Sequence, residues 1–98
     1  MDIHRFIAVV GCQHHFGSTI FRPGQRVKLT KDPENPHDSE AVKVELDPVG
    51  QVGYVANSVH TVPKGCCSAG RIYDSFAESI QGLVRFVTKD LAIVELEG

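Results

Sequence analysis

The chain has 98 residues with a formal net charge of −2, 42% hydrophobic and 22% charged residues and no tryptophan, which is one domain whose core needs most of its Val, Ile, Leu and Phe and leaves little apolar material for a deep substrate cavity. No apolar run approaches the roughly 20 residues of a membrane helix, and no hydrophobic signal core follows the N-terminus, so a soluble, cytoplasmic chain is expected. A strongly basic nucleic-acid coat protein is excluded, and any anion-binding face must be local.

Charge is indeed uneven along the chain. Five basic residues (Arg5, Arg22, Arg26, Lys28, Lys31) and one acid precede Asp32, whereas Lys43 alone faces six acids between Asp32 and Asp47. Cys12, Cys66 and Cys67 are odd in number, and two of them are adjacent. Neighbouring cysteines have poor geometry for a mutual bridge, so reduced thiols are expected.

The regular signal is period-two alternation bounded by turn residues, the mark of half-buried strands. Residues 5–12 form the first strand, and the run Phe6-Ile7-Ala8-Val9-Val10 is apolar on both faces, which predicts a central position. Residues 13–24 read as a loop closed by Pro23-Gly24. Residues 25–31 alternate, with Val27 and Leu29 inward and Arg26, Lys28 and Thr30 outward. In the loop that follows, Pro33 and Pro36 impose a stiff, extended path.

Residues 41–46 and 51–56 form a hairpin about Asp47-Pro48-Val49-Gly50. Asn57 or Ser58 can cap a short helix that Pro63 and Gly65 stop after about one turn. Residues 64–75 read as a loop with a helical turn. Residues 79–87 and 91–97 make a last hairpin around Thr88-Lys89-Asp90. About five short strands so closely spaced indicate a mostly-β fold, a small barrel or half-open sandwich.

Four segments in order, Val9-Val10-Gly11-Cys12, the basic strand, Asp32-Pro33-Glu34-Asn35-Pro36-His37-Asp38-Ser39-Glu40-Ala41-Val42-Lys43-Val44 and Gln51-Val52-Gly53-Tyr54, resemble the HIRAN domain. The N-P-x-D-x-x-A run is the specific part; beyond residue 60 the match is diffuse. The anchors span residues 9 to 54, and the chain is read as a single HIRAN-like domain, 1–98. It implies a small OB-/SH3-like β-barrel with one or two short helices. HIRAN domains occur fused to helicase-like ATPases and nucleases and also as short stand-alone bacterial chains, which this sequence is similar to. The helicase-like members bind single-stranded DNA at a free 3′ end, so a single-stranded nucleic-acid ligand, a link to repair or stalled-fork processing and a helicase or nuclease partner are implied, with no catalysis and no cofactor.

By the same resemblance Asp38 reads the terminal hydroxyl, and Asn35 shapes the loop or contacts the last nucleotide. The bland reading of Asp38 is a turn residue bonding its own backbone. His14, His15 and His37 stand where helicase-type members carry tyrosine, Gln13 where they carry arginine, and Asn57 where they carry lysine. Tyr54 replaces a histidine and adds a stacking surface. With histidines in these places, binding is expected to strengthen as pH falls through about 6–7. Arg26 and Lys28 share one strand face and can track a phosphate backbone, or can form an ordinary solvated face.

Three other readings compete. Zinc would draw on Cys12, His14, His15, His60, Cys66 and Cys67, but adjacent His-His and Cys-Cys lack the usual ligand spacing. A thiol enzyme would need a Cys–His pair, which no local signature supports; Cys12, at a strand end, reads as core. A protein-interaction adaptor on the same barrel would suit the acidic stretch from Asp32 to Asp47.

Overall fold

The computed structural model describes residues 4–12 and 17–97. Six strands form: β1 (Phe6–Val10), β2 (Arg26–Lys31), β3 (Val42–Leu46), β4 (Gly50–Val55), β5 (Ser79–Val87) and β6 (Ala92–Leu96). All pairings are antiparallel, and the sheet closes into a barrel in the order β1-β4-β3-β2-β5-β6, with β6 back against β1. The expected mostly-β barrel is therefore the fold, with each expected strand in place to within one or two residues.

Alternation builds the core. Val27 and Leu29 of β2, Val42, Val44 and Leu46 of β3, and Val84, Val94 and Leu96 of the last hairpin all point inward and are buried. β1 contributes Ile7 and Val9 to the same cluster. Its outward Ala8 is also fully buried. Beyond the short β4 pairing the chain continues along the same edge of β1: Ala56 N donates to Ala8 O at 2.9 Å, and Cys67 N to Phe6 O at 2.7 Å. A strand covered on both faces must be apolar on both faces, which explains its unbroken hydrophobic run.

Gly53 shows why the β4 motif needs a glycine. A Cβ there would lie 2.7 Å from Val10 O and 2.8 Å from a Val9 methyl. Only a bare Cα lets β4 pack this close to β1.

The helix falls elsewhere than the cap signals at 57–58 predict. Ser58 heads only a turn, accepting from Thr61 N and Val62 N at 2.9 Å each through its carbonyl and from His60 N at 3.1 Å through Oγ. The α-helix, α1 (Ala69–Ile72), is capped by Ser68, whose Oγ accepts from Arg71 N at 3.1 Å. It runs into a 3-10 turn at Tyr73–Ser75. Ala69 and Ile72 are buried in the barrel core, so tertiary packing selected this site. Lys31 lies over the Tyr73 and Phe76 rings, 4.5 and 5.1 Å from their centroids, and pins the segment to β2. No helix among the described residues is long and apolar enough to cross a membrane.

Candidate nucleic-acid interface

The loop between β2 and β3 is built by its own polar side chains. Asp32 O accepts from Asn35 N at 3.1 Å, a turn for which Pro33 is suited. Asn35 Oδ1 then accepts from His37 N at 2.9 Å and Asp38 N at 3.2 Å. Asp38 Oδ1 accepts from Glu40 N at 2.9 Å, and its carbonyl from Ala41 N at 3.1 Å. These are Asx-type turns, so the bland reading of Asp38 is correct as far as it goes. Asp32 N closes the loop by donating to Ala41 O at 2.8 Å.

The other Asp38 oxygen does something local chemistry does not require. Oδ2 accepts from Asn57 Nδ2 at 2.8 Å, and Asn57 Oδ1 accepts from Gly70 N at 2.8 Å. One amide thus ties the loop to the end of β4 and to α1. Gly70 makes room: a Cβ there would lie 2.6 Å from Glu40 Oε1 and 3.3 Å from Asn57 Oδ1.

Tyr54 stands beside this frame on the outer face of β4, between Val10 and Lys43 in the register. Its hydroxyl is 3.5 Å from Asn35 Nδ2, the outer limit of a hydrogen bond. Asn35, His37, Asp38, Ala41, Tyr54, Val55, Asn57, Ser58 and Thr61 enclose an open groove of about 320 Å³. Its surface is mostly apolar, with the polar groups at the rim. Such a groove suits a flat ring with one hydrogen-bonding end.

Five of the residues expected at a site, Asn35, His37, Asp38, Tyr54 and Asn57, therefore meet around one groove. Gln13, His14 and His15 lie outside the described residues. Arg26 and Lys28 do not join the groove. They line a different one of about 510 Å³, with Glu45, Asp47, Pro48 and Gln81. Arg26 Nε is 3.1 Å from Glu97 Oε1, and Lys28 faces Glu45 across the sheet. At about 3.3 Å per strand residue, Arg26 is some 16 Å from Lys31, where the loop starts.

Lys43, Ser58 and Thr61 were not singled out by sequence reasoning. For Lys43 a signal existed: a hairpin turn at 47–50 that pairs Leu46 with Gln51 also pairs Lys43 with Tyr54. The real turn is one residue tighter, and a bulge between Val44 and Glu45 restores that register.

Cys12 is buried, and burial pushes its thiol up, away from the thiolate a nucleophile needs. Burial, then the neighbouring Cys67, raises Cys66 as well. All three cysteines are free. Among the described residues no three His, Cys, Asp or Glu side chains converge to hold a metal.

A closed six-stranded antiparallel barrel with a one-turn helix beside an apolar groove is a small OB-like fold. The HIRAN domain family matches residues 4–72, and the chain belongs to that family, whose domains are nucleic-acid-binding modules. The structure is similar to the crystal structure of the HIRAN domain of human HLTF, with a TM-score of 0.69, 24% identity, and coverage of 95% of this chain and 72% of that one. At that identity the likeness speaks for the fold. No curated protein sequence matches the chain significantly.

Proposed function

We propose that the chain binds single-stranded DNA at a free 3′ end in the Asp38–Tyr54 groove. What supports this reading is the meeting of Asn35, His37, Asp38, Tyr54 and Asn57 around one open groove in a HIRAN domain. An ionised carboxylate has about four lone-pair positions. Glu40 N and Asn57 Nδ2 occupy two of those on Asp38. The remainder accept a terminal hydroxyl and repel a terminal phosphate. The last base lies against Tyr54 and the exposed His37, and stacking of this kind contributes roughly 1–3 kcal/mol per base. Lys43, next to Tyr54 on the same outer face, supplies the nearest cation on the strand.

The test is fluorescence polarisation with three otherwise identical oligomers, ending in a free 3′-hydroxyl, a 3′-phosphate or a hairpin. A preference for the free hydroxyl is expected. Asp38→Asn keeps an acceptor for Glu40 N but turns an NH2 towards Asn57 Nδ2, so its ratio of hydroxyl to phosphate affinity should fall towards one with the local turn kept and the Asn57 bridge lost. Equal binding of all three by the wild type would remove the 3′-end reading. No binding at low salt would leave the barrel with another kind of ligand, for which an acidic loop and a basic protein segment are the natural pair.

A further inference from the structure

We infer that the nucleotides 5′ of the terminal one run over Thr61 into a second groove, where Lys89 and His60 hold the backbone phosphates. The inference rests on the 3′-end reading above. The second groove, about 550 Å³, is lined by Val10, Gly11, Cys12, Gly17, Ser18, His60, Thr61, Lys89, Asp90 and Leu91. Thr61 also lines the Asp38–Tyr54 groove. Val10 is the cross-strand neighbour of Tyr54, so the two floors are continuous across β1 and β4. A strand whose end is seated at Asp38 therefore has an open way out past Thr61.

The walls of this exit carry suitable chemistry. One is the turn headed by Ser58, which presents His60. The other is the tip of the β5–β6 hairpin, which presents Lys89. That tip is held in place: Ser18 Oγ donates to Lys89 O at 2.5 Å, and Thr88 N donates to Leu91 O at 2.8 Å. Anchoring is through the backbone, which leaves the Lys89 ammonium to point elsewhere. The Lys89 and His60 side chains are exposed, and no ion pair engages either among the described residues. Contrast Arg26 and Arg85, whose guanidinium groups are already paired with Glu97 and Glu95. Cations without protein partners are the ones free to neutralise phosphate. Asp90 stands in the same wall and opposes phosphate, which predicts a change of opposite sign when it is neutralised.

The experiment compares a trinucleotide with a nine-nucleotide oligothymidylate, both with free 3′-hydroxyls, on wild type, Lys89→Ala, His60→Ala and Asp90→Asn. The wild type should bind the longer oligomer about tenfold more tightly. Lys89→Ala should remove most of that gain, weaken the trinucleotide less than the longer oligomer and lower the salt slope by about 0.7, the value for one single-strand phosphate. His60→Ala should remove part of the gain. Asp90→Asn should increase the gain. An unchanged gain and slope in Lys89→Ala would overturn the track while the 3′-end site stood. Binding of neither oligomer by the wild type would overturn both.

Discussion

The barrel carries two grooves of opposite character. One is lined by Arg26, Lys28, Glu45 and Asp47, all projecting from strands or from the β3–β4 turn. The other is lined by a loop, the end of β4 and a turn, locked together through Asp38, Asn57 and Gly70. The first has the more conspicuous charges, of both signs: Arg26 is paired with Glu97, and Lys28 has Glu45 as its neighbour in the register. The second has few charges, but its polar atoms are held in position by hydrogen bonds. The two differ in order as well as in charge: the frame around Asp38 is fixed by hydrogen bonds, whereas the charged groove is lined by strand side chains of both signs.

The largest effect that can separate the two grooves is Gly53→Val. Its side chain would collide with the β1 backbone under Tyr54. Overpacking of this kind costs about 1–3 kcal/mol, so the melting temperature should fall by roughly 5–20 °C, and DNA binding should fail with it. A melting temperature within a degree of wild type would show that β1 and β4 can separate freely.

Asn57→Ala comes next. It removes two partly buried hydrogen bonds, each contributing about 1 kcal/mol. Denaturant titration should show a loss of about 1–2 kcal/mol, and hydrogen exchange should rise at Gly70. Exchange at Arg26 and Lys28 should not change. If it rises equally there, the frame is not local to one groove.

Smaller still is the double variant Arg26→Ala/Lys28→Ala. Single-stranded DNA affinity at moderate salt should change by less than about twofold, since screening leaves little attraction beyond roughly 10 Å. A loss as large as that of Asp38→Asn would make the charged groove part of the interface and dissolve the distinction.

The smallest effect concerns Glu95, outside both grooves. Hydrogen bonds from His4 and then Arg85 hold its carboxyl below the usual glutamate range. A lowered folded-state pKa gives stability that is present above the unfolded value, about 4.3, and is lost as pH falls through the folded value. The melting-temperature gap between wild type and Glu95→Gln should therefore be small at pH 6 and close on acidification below about pH 4. A gap that widens towards acid would reverse the sign.

Much of the fold was legible because each strand advertises itself locally. Val27 and Leu29 alternate with Arg26 and Lys28, and Val42, Val44 and Leu46 with Lys43 and Glu45. The helix was legible only as a helical turn somewhere in residues 64–75, not with its bounds. Four residues, Ala69–Ile72, make one turn, too few for any apolar period to appear. The capping signal at Ser58 was real but headed a turn that never became a helix. At the site, Asn35 and Asp38 were legible because their main partners lie within three residues. Asn57 was expected at the site, yet its role as a bridge was hidden. Its partners are 19 and 13 residues away, where neither pattern nor propensity reaches.

The sequence by itself determined the strands, the stiff proline-framed loop and the turn geometry of Asn35 and Asp38, because alternation, fixed proline φ and Asx hydrogen bonds all act over a few residues. Tertiary structure alone decided which outward residues share a groove. Barrel closure sets the neighbours of non-consecutive strands, and so placed Val10 of β1 beside Tyr54 of β4 and Arg26 of β2 against Glu97 at the end of the chain. Those neighbours come from distant parts of the chain, and their meeting is a property of the closed sheet rather than of any segment in it.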